Sequence, residues 1–297
     1  MPRRFHIVDV FARQRYAGNQ LAVVTDAEDL STEEMQAIAG EMDYSETTFV
    51  TGPPADGAWP VRIFTPNAEV PFAGHPTLGT AQVVREQLAE GTPKTVTLDL
   101  EVGEVPVVVN EDASVDGGET RETLWMTQQT PTFGDRLAHP DLADVLGLPV
   151  EALDDEWPVQ VVSTGLPTVV VSLADRDALT SVDLDRAAYD RVTGDREAKN
   201  VLAFCADPRD GANDLADRVF APFYDVPEDP ATGSSNGCLA AYLARHEYFG
   251  DSAIDARVEQ GYEMGRPSLL HLRADANDDV HVEVGGSVIP VARGELI

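Results

Sequence analysis

RIFTPNAEVPFAGHPTLGTA, from Arg62 to Ala81, returns later in the chain as RVFAPFYDVPEDPATGSSNGCLAAYL, beginning at Arg218. Arg62, Phe64, Pro66, Val70 and Pro71 recur as Arg218, Phe220, Pro222, Val226 and Pro227 at one offset (218 − 62 = 156), with Glu69 matched by Asp225. One inserted residue then sets Gly74-His75-Pro76 opposite Ala231-Thr232-Gly233. In both copies an alternating apolar run reads as a strand, a Pro-rich turn follows, and a loop of small residues opens a helix. The first helix is expected from Pro76-Thr77 towards Glu90 and the second from Ser234 towards Phe249, stopped by Gly91 and Gly250.

A helix start exposes backbone N–H groups and the positive end of the dipole, so two of them at one cleft would hold an anion such as a carboxylate. The alternative is that both loops are only turns. A second echo supports duplication: VGEVPVVV from Val102 and MGRPSLLHL from Met264, at an offset of 162 (264 − 102). Two copies are too few for a solenoid. The chain reads as an α+β protein of two similar domains with a cleft between them.

The 297 residues suffice for two domains that each bury a core. No apolar run approaches a membrane span, and MPRRFHIVDVFA has no cleavable signal, so a cytoplasmic location is expected. The formal charge of −31 comes from 52 acidic and 21 basic residues, of which only Lys94 and Lys199 are lysines. The acids are dispersed, with short clusters at Asp154-Asp155-Glu156 and Asp278-Asp279. Such a surface suits concentrated salt, where the Debye length falls to about 3 Å at 1 M, and it disfavours nucleic acid as a partner. Cys205 and Cys238 offer neither a disulfide framework nor a zinc spacing.

Further along the chain, Ser31 and Glu34 form a capping box, Gly18-Asn19 sits in the loop between the first two strands, and Glu46 precedes the strand Thr47 to Val50. That strand is expected beside the one carrying FTPNAEVPFAGHP; an ordinary solvated carboxylate is the other reading of Glu46. Asp183 is expected to cap a helix that ends at Gly194. The polar stretch Glu111 to Thr120 marks a domain boundary, giving a first domain of 1–116 plus 287–297 and a second of 117–286. Gly285-Gly286 is the expected crossing point, with SVIPVARGEL returning to complete the first half. There is no P-loop and no dinucleotide fingerprint, and no histidine pair has HxxxH or HExxH spacing; neither a metal nor an organic cofactor is expected.

FHIVDVF, SETTFV, FTPNAEVPFAGHP, EDPATGSSNG and QGYEMGRPS, in this order between Phe5 and Leu296, together resemble the PhzF family of phenazine biosynthesis, whose fold is that of diaminopimelate epimerase. The resemblance implies two pseudo-symmetric α+β domains, each a barrel-like mixed or antiparallel sheet around a central helix, with the active site in the cleft between them. It gives Glu46 the acid/base role, and it makes His75, Asp229 and Ser234 the residues that bind the substrate or help move its protons. Gly74, Gly233, Thr232, Ser235 and Asn19 complete the expected substrate-binding set.

Epimerases of this fold use two thiols; the matching positions here are Ala73 and Pro230, so two-thiol racemisation is disfavoured. The expected activity is a cofactor-independent isomerisation or epimerisation of a small carboxylate, cyclic or amino-acid-like. The alternative is a non-catalytic binder of such a carboxylate. Family members are often homodimers.

Overall fold

A computed structural model describes residues 2–112, 121–276 and 280–297. The acidic pair Asp278-Asp279 and the centre of the expected boundary stretch, 113–120, lie outside the described residues. The chain forms two compact units, Met1–Thr127 with Gly285–Ile297, and Gln128–Val284. Unit 1 runs β1 (Arg3–Val10), β2 (Asn19–Val24), α1 (Thr32–Met42), β3 (Thr47–Val50), β4 (Ala58–Phe64), β5 (Glu69–Val70), α2 (Gly74–Gln87), β6 (Thr95–Leu100), β7 (Gly103–Asp112) and β8 (Arg121–Thr127). Unit 2 follows with β9 (Thr132–Arg136), α3 (His139–Leu146), β10 (Gln160–Ser163), β11 (Thr168–Ser172), α4 (Arg176–Thr180), α5 (Arg186–Thr193) and β12 (Asn200–Cys205). It continues through β13 (Leu215–Ala221), β14 (Val226–Asp229), α6 (Gly233–Arg245), β15 (Ala253–Gln260), β16 (Ser268–Asp275) and β17 (His281–Gly286), before β18 (Val288–Leu296).

The two units share one pairing pattern. In unit 1, β1–β2 is antiparallel, β2–β3 parallel, β3–β4 and β4–β5 antiparallel, β4–β6 parallel and β6–β7 antiparallel. Unit 2 repeats this order with β10, β11, β12, β13, β14, β15 and β16. Parallel neighbours need a crossover, and helices supply it at matching places: α1 and α2 in unit 1, α4–α5 and α6 in unit 2. The strand that flanks β10 is β9, whereas the strand that flanks β1 is β18, from the C-terminal end.

The ladders correct the repeat alignment. Ile63 pairs with Val70, and its mate Val219 pairs with Asp229, so Val70 corresponds to Asp229 rather than Val226. The ion pairs agree: Arg62 holds Glu69 with two 2.6 Å bonds, and Arg218 holds Glu228, not Asp225, with two 2.8 Å bonds. The offset is therefore 159 (228 − 69) beyond the turn, because unit 2 inserts three residues that form the 3-10 turn Pro222–Tyr224 with Asp225 at φ 61°. Both helices start earlier than their sequences suggest, at Gly74 and Gly233, which preserves the same offset (233 − 74 = 159).

Each unit is built around one helix. Every residue from Gly74 to Arg85 of α2 is buried, as is nearly all of α6 up to Ala244. Small residues permit this: a Cβ on Gly79 would stand 2.5 Å from Leu21 Cδ2, so α2 lies close against β1 and β2. Outside, Met35 and Ala39 of α1 pack with Phe49 and Phe64. In unit 2, Leu142, Tyr189 and Leu179 pack with Val169, Val201 and Phe220. The α1 capping box is formed in both directions, whereas the α5 cap is Asp185, whose Oδ1 accepts the Ala188 N–H at 2.8 Å, and not Asp183.

Gly285 and Gly286 continue β17 and are required by close approach: a Cβ would meet the Trp125 ring at 2.6 Å and the Phe11 ring at 2.3 Å. Among the described residues no helix is long and apolar enough to cross a membrane.

Candidate active site

Glu46 stands immediately before β3, and His75 is the second residue of α2. Antiparallel pairing of β3 with β4 sets the strand that follows Glu46 alongside the strand that leads, through the tight β5 turn, into α2. The result is an approach of 3.4 Å between His75 Nε2 and Glu46 Oε2, with side-chain exposures of 7% and 18%. Burial pushes the His75 pKa down to about 3, opposed by a hydrogen bond to the backbone of Gln20. With Nε2 directed at Glu46, that bond belongs to Nδ1. The ring is thus neutral with its proton on Nδ1, and its Nε2 faces Glu46 Oε2 at 3.4 Å without a hydrogen bond between them. Gln20 is held in β2 next to Asn19, which is buried and paired with Val10. Gly18 before it sits at φ 66°, where a Cβ would lie 2.3 Å from the Val10 carbonyl oxygen.

The equivalent position in unit 2 is not a carboxylate. Thr47 pairs with Phe64 and Val201 with Phe220, so Glu46 falls opposite Asn200. Asn200 is buried and its Nδ2 donates to Ser235 Oγ at 3.1 Å. Duplication has kept the place and changed the side chain: of the two matching positions, Glu46 and Asn200, only the one in unit 1 is a carboxylate.

Unit 2 instead builds a polar loop from Asp229 to Ser235. Neither α2 nor α6 has a side-chain cap at its N-terminus, where Ala73 and Thr232 are the N-cap residues. The Thr232 hydroxyl donates to Asp229 Oδ2. Gln260, at the end of β15, donates through Nε2 to the Asp229 carbonyl (2.7 Å) and to Thr232 Oγ1 (3.1 Å). Its Oε1 accepts the Thr232 N–H (3.0 Å) and Asn236 Nδ2 (3.0 Å). Asn236 Nδ2 also donates to Oδ2 of Asp217 at 2.9 Å, a carboxyl whose burial pushes its pKa well above the usual range.

Gly233 is buried and Ser234 half-buried. Ser235 differs from the expectation: it is fully buried, and its hydroxyl is engaged by Asn200 and by Thr168 Oγ1 at 3.1 Å, so it supports the loop from beneath. The residues matching the paired thiols are Ala73 and Thr232 in the corrected register. Cys205 and Cys238 are buried elsewhere, and burial raises both thiols, Cys205 to about 11.

Gln260, Asn236 and Asp217 were not among the residues singled out from the sequence. Their signal was present in the repeat: with the register corrected, each stands where unit 1 has a less polar residue.

A duplicated α+β unit around a buried helix thus carries a glutamate and a neutral imidazole in contact in one copy only. The family model for phenazine biosynthesis-like proteins (PhzC-PhzF) matches residues 8–294. The chain is 37% identical to trans-2,3-dihydro-3-hydroxyanthranilate isomerase of Pseudomonas aeruginosa, covering 98% of each. Its fold matches that of a PhzF-family phenazine biosynthesis protein of Bacillus anthracis at a TM-score of 0.89, with 27% identity over 100% of this chain and 99% of that one. A predicted epimerase of Pseudomonas aeruginosa matches at a TM-score of 0.80, with 31% identity over 99% of each. The chain belongs to the phenazine biosynthesis-like protein family.

Proposed function

We propose that this isomerase moves a proton on a small carboxylate-bearing metabolite, cyclic or amino-acid-like, with Glu46 as the acid/base. The observation that carries the reading is the 3.4 Å contact between Glu46 and a neutral His75. In the first step a substrate C–H bond breaks, the proton passes to Glu46, and the electron pair enters the conjugated system next to the substrate carboxylate. Glu46 then holds the proton as a carboxylic acid whose O–H is received by His75 Nε2. Return of that proton to another carbon of the same system gives isomerisation; epimerisation would need a second acid to protonate the opposite face of the same carbon. Atoms and charge balance without a cofactor.

The backbone N–H groups of Gly74 and His75, in the first turn of α2, suit a carboxylate. In unit 2, Asp229, Thr232, Gly233 and Ser234 are the proposed substrate-contacting residues, with Ser235 beneath them; Asn19 acts by holding Gln20 and, through it, His75. A homodimer and adaptation to concentrated salt belong to the same proposal, the latter supported by 52 acidic residues and two lysines in the chain.

The test is a panel of small cyclic and α-amino carboxylates, including trans-2,3-dihydro-3-hydroxyanthranilate, incubated in D2O at molar salt and read by NMR. Deuterium entering beside the carboxylate or along an allylic system supports the reading. Binding of a panel member with no exchange in any of them would favour the non-catalytic binder.

A further inference from the structure

The corrected repeat register makes unit 1 an internal control for unit 2. Asp217 corresponds to Val61, since Phe204 pairs with Asp217 as Val50 pairs with Val61. Gln260 corresponds to Leu100, since Val258 pairs with Leu215 as Leu98 pairs with Trp59. Asn236 corresponds to Thr77: Asn236 Nδ2 donates to the Thr232 carbonyl at 3.3 Å, and Thr77 Oγ1 donates to the Ala73 carbonyl at 2.8 Å, each reaching its helix's N-cap residue. The same fold is therefore built once with Val61, Thr77 and Leu100 and once with Asp217, Asn236 and Gln260. The polar set is not needed to make the architecture.

Burying it carries a cost. Asp217, Asn236 and Gln260 are each at most 1% exposed, and an apolar set of similar shape avoids the desolvation of a carboxyl and two amides. What the cost obtains is visible in the bonds of Gln260. All four hydrogen-bonding positions of its amide are used: two donors to Asp229 O and Thr232 Oγ1, two acceptances from Thr232 N and Asn236 Nδ2. A flipped amide would set donor against donor and acceptor against acceptor, so its orientation is fixed. Because Thr232 Oγ1 accepts from Gln260, its own proton is left for Asp229 Oδ2. One side chain thereby fixes the backbone of the loop and the direction of the hydrogen bond to Asp229.

We infer that Gln260 is a positioning residue for the Asp229–Thr232 loop, oriented by Asn236 and Asp217, and that this network is a functional specialisation of unit 2. The inference rests on the reading above that Asp229 and Thr232 contact substrate.

The test transplants unit 1 into unit 2: Asp217→Val, Asn236→Thr and Gln260→Leu in the full chain, with trans-2,3-dihydro-3-hydroxyanthranilate and then the rest of the panel as probes. The triple variant is expected to fold with a thermal midpoint equal to or above that of the wild type, while kcat falls about 100-fold, the scale of a small misplacement of reacting groups. Gln260→Glu keeps both acceptors and loses both donors; its activity is expected to recover partly as the pH is lowered and the introduced carboxyl regains a proton to donate. A triple variant with kcat within threefold of the wild type overturns the inference. So does one that fails to fold, since the network would then be structural, and so does Gln260→Glu with a pH profile parallel to the wild type. Wild-type chain that neither binds nor turns over any probe instead brings down the functional reading, and this inference with it.

Discussion

His75 Nε2 lies 3.4 Å from Glu46 Oε2, and the histidine is the more deeply buried of the two. The Glu46 side chain is 18% exposed with its Oε2 buried, against 7% for His75, and the proposed proton transfer uses this pair.

The His75 ring should stay neutral through the physiological range. Its folded pKa of about 3 lies below the ordinary histidine value of 6.5, so between these values the unfolded chain binds the extra proton. Stability from this group is complete above about 6.5 and is lost as the pH falls towards 3. His75→Gln should flatten that part of the stability–pH curve in urea titrations, and NMR should show no His75 titration between pH 8 and 4. A ring titrating near 6 contradicts the assigned neutral state.

Asp217 predicts the opposite slope. Its carboxyl pKa is raised, so above 3.8 the folded chain holds a proton that the unfolded chain has released, and stability declines as the pH rises through that window. Asp217→Asn removes the decline. Urea unfolding should find this variant more stable than the wild type at pH 7 and show the advantage shrinking at pH 4; equal stability at both pH values would refute the burial argument.

Much of the architecture was legible in the sequence, because Arg62/Arg218 and Phe64/Phe220 keep one spacing through β4 and β13. The register past the turn was not. Val226-Pro227 imitates Val70-Pro71 in letters, but backbone pairing and the Arg218–Glu228 bond choose Glu228-Asp229-Pro230. The Glu46, His75 and Asp229 positions came through the family resemblance. Ser235 was misplaced because its neighbours on β11 and β12 are distant in sequence, and Gln260 was missed because its importance lies in four bonds that only the folded chain brings together.

A buried and an exposed ion pair should differ in worth. The Arg218 side chain is 9% exposed and also donates to the Leu179 and Val182 carbonyls, so Arg218→Ala takes the ion-pair partner from Glu228 and one hydrogen bond from each of those oxygens. Removing one member of such a buried pair costs about 3–5 kcal/mol. The exposed Arg4–Asp26 pair should cost under about 1 kcal/mol when broken by Arg4→Ala. Chemical denaturation of both variants checks the ranking.

Salt should stabilise the chain. With a formal charge of −31, self-repulsion is strongest at low ionic strength. Raising KCl from about 0.1 M to 2 M should lift the thermal midpoint by several degrees. A midpoint that falls with salt would contradict the proposed adaptation.

The most direct measurement compares wild type with Glu46→Gln on whichever panel carboxylate exchanges, following deuterium wash-in by NMR and affinity by calorimetry. The account predicts that exchange drops by at least about 1,000-fold while Kd changes by less than about tenfold, because the amide fills the same space but cannot take the proton. Exchange persisting at the wild-type rate in the folded variant would contradict the assignment of Glu46 as the acid/base.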